Sequence, residues 1–261
     1  MSQIGMMQQS DEQRRLFEEE AVKIVKAATE QGLDLRVIGS LAFKIHCQRY
    51  SHLQKELGRA YTDLDFAGYK KQASKIGPFL SDLGYHDDLD VNILFAGERL
   101  IFHHPSTGLH VDIFFDKLDF CHEVNWKGRL EVDYPTIPLA EMLLEKMQIV
   151  RINEKDIIDT VMLLLEHPLG DEDHETIHVG RISKLCAKDW GLWRTLTMNL
   201  EKVSVLGQGY EQLNAEDKTH LATQVETALR IINEEPKTLS WKLRSKIGDR
   251  VKWYQEVDDI S

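Results

Sequence analysis

The stretch "RAYTDLDFAGYKK", residues 59–71, decides the fold. Its centre, "AYTDLDFAGY", is rich in β-formers and reads as a strand, and it carries Asp63 and Asp65 two positions apart. Alternation sends residues i and i+2 to one side of a strand, with Cα atoms about 6.6 Å apart at roughly 3.3 Å per residue. Two like charges that close repel, so a counterion is the first thing to look for.

Upstream, "DLRVIG" reads as a short strand of Leu35, Val37 and Ile38, and "SLAFKIHCQRY" takes up helical spacing directly after Gly39-Ser40. Residues 11–31 place Leu16, Ala21, Ile24, Val25 and Ala28 on one helical face, with Gly32 of "QGLD" as the stop. Downstream, "KKQASKIGPFLSDLGY" reads as a helix that Gly77-Pro78 should break or kink. The run "DVNILFAGERLIFHHPSTGLHVDIFFD" reads as three strands joined by turns at "AGE" and "PSTG". In the last of these, His110, Asp112 and Phe114 face one way and Val111, Ile113 and Phe115 the other.

From "IPLAEMLLEKMQIV" onward helix follows helix. Asn153, with Asp156 three residues on, caps "EKDIIDTVMLLLEH"; "HPLGDEDHE" reads as a loop or domain joint; further helices are expected near 175–205, 214–235 and 239–255. The expected class is therefore α+β: residues 1–135 form a mixed sheet flanked by helices, and residues 136–261 a helical domain.

Composition bounds the function. With 42% hydrophobic and 29% charged residues the chain should bury a core unaided. No apolar run approaches the ~18 residues of a membrane helix, so no membrane partner is expected. The start "MSQIGMMQQSDEQRR" has no basic segment followed by an apolar one, which points to the cytoplasm. Cys47, Cys121 and Cys186 are scattered and read as reduced thiols. A net charge of −11 disfavours broad contact with nucleic acid, although "RISKLCAKDWGLWR" and "KLRSKIGDRVKW" concentrate positive charge and tryptophan late in the chain. Solvated helix faces are the simpler reading of those segments.

Asp63, Asp65 and Asp112 fall on strands of one predicted sheet, where facing side chains of neighbouring strands lie about 5 Å apart. Hard carboxylate oxygens at such separations suit magnesium or manganese, which would cancel the repulsion. Gly39-Ser40, at a strand end and opening a helix, suits phosphate: helix N–H groups attract it, glycine admits it to the main chain, and the serine hydroxyl can donate a further bond. A nucleoside triphosphate is the ligand these parts would take together.

"VIGSLA", "TDLDFA" and "HVDIFF" resemble the three signatures of the DNA polymerase β-like nucleotidyltransferase superfamily. "LAEMLLEKMQIVRINEKDIIDTVMLL" is similar to a helix pair of its abortive-infection toxin-like and bacterial branches, and the resemblance covers roughly residues 33–166. It implies that Asp63 and Asp65 hold two metal ions, and that Asp112 binds one of them and helps take the acceptor's proton. It implies that Gly39 and Ser40 hold the β- and γ-phosphates and that Lys146 or Lys155 neutralises triphosphate charge. A small hydroxylated acceptor fits the acidic charge balance, whereas the toxin-like resemblance implies a transfer RNA end or a protein hydroxyl as acceptor and leaves room for an antitoxin partner. The alternative is a catalytically silent nucleotide-binding or regulatory module. One departure is the long spacing between Ser40 and Asp63, which must accommodate "QRYSHLQKELGRA".

Blander readings stand beside these. Asp63 and Asp65 suit a solvated strand edge, Gly39-Ser40 a simple cap, Lys146 the polar stripe of a helix, and Asp156 and Asp159 a cap and a surface charge. His103, His104, His110, Cys121 and His122 fit no zinc spacing; "DLDVNILFAGE" has Ile93 where a calcium loop needs glycine; "LGQGYE" follows no strand and is no dinucleotide fingerprint.

Overall fold

The computed structural model describes residues 9–88, 92–93 and 97–256. The architecture is mixed α+β, in two compact units: Met1–Lys117 with Trp126–Ile137, and Leu118–Asn125 with Pro138–Ser261.

The first unit is built on a five-stranded mixed sheet of order β1-β2-β5-β4-β3. Its strands are β1 (Arg36–Val37), β2 (Leu64–Gly68), β3 (His86–Asp87), β4 (Arg99–His103) and β5 (His110–Phe115). β2 and β5 run parallel at the centre; the other pairings are antiparallel. Leu64, Phe66, Val111 and Ile113 are wholly buried. Alternation then sends Asp65 and Asp112 to the opposite face.

α1 (Asp11–Glu30) starts with a capping box between Ser10 and Gln13. It stops where Gly32, at φ 70°, lets the Leu33 and Gly32 amides turn back to the Ala28 and Thr29 carbonyls. Ala21, Ile24, Val25 and Ala28 are buried as the spacing requires, whereas Leu16 is exposed. α2 (Gly39–His46) follows β1 at once, and α3 (His52–Glu56) occupies the long spacing before Asp63.

α4 (Ala73–Asp82) continues through Gly77-Pro78, against expectation. Ile76, Phe79 and Leu80 are almost fully buried. At about 1.5–3 kcal/mol each they outweigh a helix-interior proline's penalty of about 3 kcal/mol. The strand expected at "DVNILF" falls largely outside the described residues, and Asn92 and Ile93 within it are helical. The edge of the sheet is supplied instead by β3, which the pattern did not reveal.

The second unit contains α5 (Leu139–Met147), α6 (Glu154–Glu166), α7 (Val179–Cys186), α8 (Trp190–Gln208), α9 (Ala215–Glu234) and α10 (Leu239–Ser245). Asn153 caps α6 by accepting from the Asp156 amide, as read from the sequence. The single helix expected near 175–205 is two, because Asp189 caps a fresh start by accepting from the Gly191 and Leu192 amides. The helix expected over 239–255 ends at Ser245 and is followed by a 3₁₀ turn at Gly248–Arg250. Gly248, at φ 60°, leaves the right-handed helical region. "HPLGDEDHE" is a loop inside this unit, drawn together by the parallel pair β8 (Leu169–Gly170) and β9 (Ile177–His178), and is no domain joint. Strands also occur at β6 (Lys117–Asp119) and β7 (Glu123–Asn125). Among the described residues no helix is long and apolar enough to cross a membrane.

Candidate active site

The site grows from the β2–β5 ladder. Its parallel register makes Asp65 and Asp112 direct Cα partners, so the two carboxylates leave adjacent strands at one level and on one face. Asp63 lies just ahead of β2, outside the strand, so alternation alone does not place it as the sequence suggested. It acts through its charge: Asp63 bears on both Arg99 and Asp112.

β1 brings α2 to the pair. The Ile38 amide donates to the Asp65 carbonyl at 2.9 Å, and the chain turns into α2 at Gly39, whose φ is 65°. A Cβ at Gly39 would come 2.5 Å from Asp65 Oδ2 and 3.3 Å from Cγ. Glycine is needed here twice over, for its backbone conformation and for the carboxylate packed against it. Ile38 stands at the N-cap position and offers no side-chain bond, so the start of α2 has no side-chain cap from it.

The long spacing after Ser40 is well-packed structure. Gln54 on α3 is completely buried; its amide donates to the Ser40 carbonyl at 3.0 Å, and the Tyr61 hydroxyl donates to its oxygen at 2.8 Å. Tyr61 in turn packs against Phe17 and beneath Arg14 of α1. The insertion thus braces the Gly39-Ser40 turn from behind.

Arg99 is the residue that sequence reasoning missed. It projects from β4 two positions before Ile101, the Cα partner of Asp112, and so shares the carboxylates' face. Its Nε lies 2.7 Å from Asp112 Oδ1 and 2.9 Å from Oδ2, and its terminal nitrogen also bonds Oδ2. The counterion asked of the sequence is, in this structure, a guanidinium. Burial pushes the Asp112 carboxyl above its ordinary value; the Arg99 fork pulls the other way, and the Asp63 charge adds to the push. Arg99 is itself partly buried, which weakens its charge, but the hydrogen bond and charge of Asp112, with Asp65 and Asp63, hold it above its usual range.

Among the described residues no three His, Cys, Asp or Glu side chains form a metal-holding cluster. The chemistry of the donors nonetheless fits a hard divalent cation: two carboxylates at one register level, a third acting on the same neighbourhood, and a cradle that any side chain at position 39 would fill. Magnesium or manganese would be held by Asp65 and Asp112, with Asp63 beside them.

Lys146 and Lys155 belong to the second unit. Lys146 is buried with all of α5, not part of a polar stripe; its Nζ lies 3.0 Å from Asp156, 3.5 Å from Asp159 and 4.0 Å from Glu145. Asp159, read from sequence as a surface charge, is fully buried in this network. Lys155 is exposed in the first turn of α6. All three cysteines are free and buried, and burial pushes the Cys186 thiol up to about 12. His103 and His110 face each other across the β4–β5 hairpin, while His122 is buried against Thr195 at 2.8 Å.

Comparison of the chain with protein-family models, with curated proteins and with solved structures finds no match in any of the three.

Proposed function

We propose that this protein is a metal-dependent nucleotidyltransferase, moving a nucleoside monophosphate from a nucleoside triphosphate to a hydroxyl acceptor with release of pyrophosphate. The observation that carries the reading is the Asp65–Asp112 pair at one level of a parallel ladder, with the glycine that opens α2 packed onto Asp65. Bound magnesium or manganese would supply charge neutralisation on the transferring phosphate.

The chain's own residues do the rest. The start of α2 and the Ser40 hydroxyl hold the terminal phosphates, and Gly39 keeps side-chain atoms out of their way. The acceptor oxygen forms a bond to the α-phosphorus as the bond to the bridging oxygen breaks, and pyrophosphate leaves with that electron pair. The acceptor's proton passes to a carboxylate oxygen of Asp112. In the metal-free protein burial holds this carboxyl above its ordinary value. Arg99 must release one Asp112 oxygen for that transfer. Lys146 is already balanced by three carboxylates of its own unit, and Lys155 is exposed.

The bidentate grip of Arg99 on Asp112 is the observation that favours the second reading, a silent nucleotide-binding or regulatory module. The test is transfer of labelled nucleotide from each of the four triphosphates, with magnesium or manganese, onto pools of small molecules, transfer RNA and protein. Asp65→Asn and Asp112→Asn should each lower transfer at least ~100-fold, equivalent to about 2.7 kcal/mol of transition-state stabilisation. Metal-dependent triphosphate binding by calorimetry without transfer would select the silent module. Neither binding nor transfer would refute both. The antitoxin partner that the toxin-like resemblance suggests is tested by pull-down with the same wild-type protein.

A further inference from the structure

We propose that residues 239–251 of the second unit dock this protein peripherally on an anionic lipid surface. Along α10 and the turn that follows, Leu239, Leu243, Ile247 and Val251 recur every fourth residue and are 73%, 55%, 44% and 56% exposed. Lys242, Lys246 and Arg250 recur at the same interval beside them and are exposed as well. Within α10 this spacing keeps the aliphatic and the basic side chains on adjoining rows of one helix; past Ser245 the chain leaves the helix, and Ile247, Arg250 and Val251 add to the exposed set from the turn.

The opposite side of the segment is anchored. Trp241 meets Trp193 of α8 edge to face at 5.1 Å, and the Arg244 guanidinium lies 4.5 Å from the centre of the Trp190 ring. Arg244 also donates to the Gly248 and Val251 carbonyls at 2.8 Å, which fixes the turn carrying the rest of the exposed set. The Thr238 amide and hydroxyl both reach the Ala187 carbonyl. An exposed aliphatic row held this firmly is a built surface and not a frayed end.

Charge selects the occupant. Residues 237–252 hold six basic side chains in a chain whose net charge is −11; Lys237 and Arg244 bond backbone carbonyls and Lys252 pairs with Glu256 at 2.6 Å, while Lys242, Lys246 and Arg250 are the exposed three, beside one acidic residue, Asp249. Asp249 is paired with Arg194 at 3.1 Å. An anionic surface repels such a chain in general and attracts it here. Nucleic acid would share the attraction, but it rewards aromatic rings free to stack, and Trp190, Trp193, Trp241 and Trp253 are engaged with one another while the outward row is aliphatic. Aliphatic side chains flanked by lysine and arginine match acyl chains beneath phosphate headgroups. This departs from the expectation of no membrane partner, which rested on the absence of a spanning segment; a helix lying in the interface needs none.

The experiment is flotation of the full chain with vesicles of phosphatidylcholine alone and of phosphatidylcholine with phosphatidylglycerol. Two variants accompany the wild type, Leu243→Asp/Ile247→Asp and Lys242→Glu/Lys246→Glu/Arg250→Glu. Near-ultraviolet circular dichroism of the tryptophan cluster checks that both fold. The wild type should float with the anionic vesicles only and be released at ~1 M salt, where the Debye length falls to about 3 Å. One basic residue near an anionic surface strengthens binding about five-fold, so the triple variant should bind at least ~100-fold more weakly. The apolar variant should lose flotation too. The proposal is overturned if the wild type does not float with anionic vesicles at low salt, if it floats equally with both kinds, or if both variants float as it does. Binding of a single-stranded oligonucleotide that survives the apolar variant but not the charge variant, with no flotation, would assign the segment to nucleic acid instead.

Discussion

Gly39→Ala tests whether Asp65 is positioned by the turn into α2. The substitution has two separable costs. An alanine at φ 65° pays the left-handed penalty of roughly 1–2 kcal/mol. Its Cβ, 2.5 Å from Asp65 Oδ2, also forces that carboxylate off its rotamer, at about 0.5–1.5 kcal/mol. The sum, about 2.5 kcal/mol at mid-range, corresponds to a roughly seventy-fold increase in amide exchange wherever the first unit opens as a whole. Hydrogen exchange read by mass spectrometry over β2 and β5 is the suitable assay, because a single unfolding midpoint is poorly defined for a chain of two units. Asp65→Ala removes the oxygen that the new methyl group meets, so Gly39→Ala should cost only the backbone penalty in that background. The cycle should show coupling of about 1 kcal/mol. Additive costs, with no coupling, would refute the claim that Gly39 exists to seat Asp65.

Arg99→Gln should change the pH dependence of stability in the metal-free protein. Burial raises the folded value of Asp112, so its contribution to stability is complete below the unfolded value and is lost as pH rises through the raised one; removing Arg99, which lowers it, should enlarge that loss and move it to higher pH. Unfolding curves for wild type and variant should diverge from about pH 4 upward, and parallel curves would contradict the pairing. Lys146→Met removes the cation beside the fully buried Asp159 and should destabilise the second unit by about 3 kcal/mol, with partial recovery on adding Asp159→Asn; an unchanged melting profile would contradict a structural role for the pair. Asp189→Ala removes the cap of α8 and should cost about 1 kcal/mol in denaturant, seen as faster exchange over residues 190–193; no change there would show that packing alone starts the helix.

What the sequence made legible was local and periodic. The α1 stop at Gly32, the cap at Asn153 and the central strands β2 and β5 could be read because each depends on residues within a few positions. The α4 proline misled because burial of Ile76, Phe79 and Leu80 is a tertiary term that no local preference contains. The two-residue strand β3 is too short to carry a period. Around the site, the level pairing of Asp65 with Asp112 was within reach once both strands were assigned to one sheet. Arg99 was within reach too: a long cation two positions before the partner of Asp112 must share its face. The missing piece was register, which alternation fixes only to a face and not to a row. The same limit explains Asp159, whose burial depends on Lys146 arriving from a neighbouring helix.

The carboxylate site is held in place by constraints of different physical kinds. Ladder hydrogen bonds set the level of Asp65 against Asp112, exclusion of a Cβ at position 39 sets the side-chain room of Asp65, and a charged fork sets Asp112. The first two do not depend on charge, so they persist if Arg99 lets go. Only the third opposes use of Asp112, and it is a partly exposed side chain on a neighbouring strand, with 27% of its surface in contact with solvent. An arrangement in which the acids are fixed by backbone and their counterion by a single side chain separates the cost of folding three like charges together from the cost of freeing them for chemistry. Stability should therefore be most sensitive to Gly39 and the ladder, and the proposed proton transfer to the freedom of Arg99.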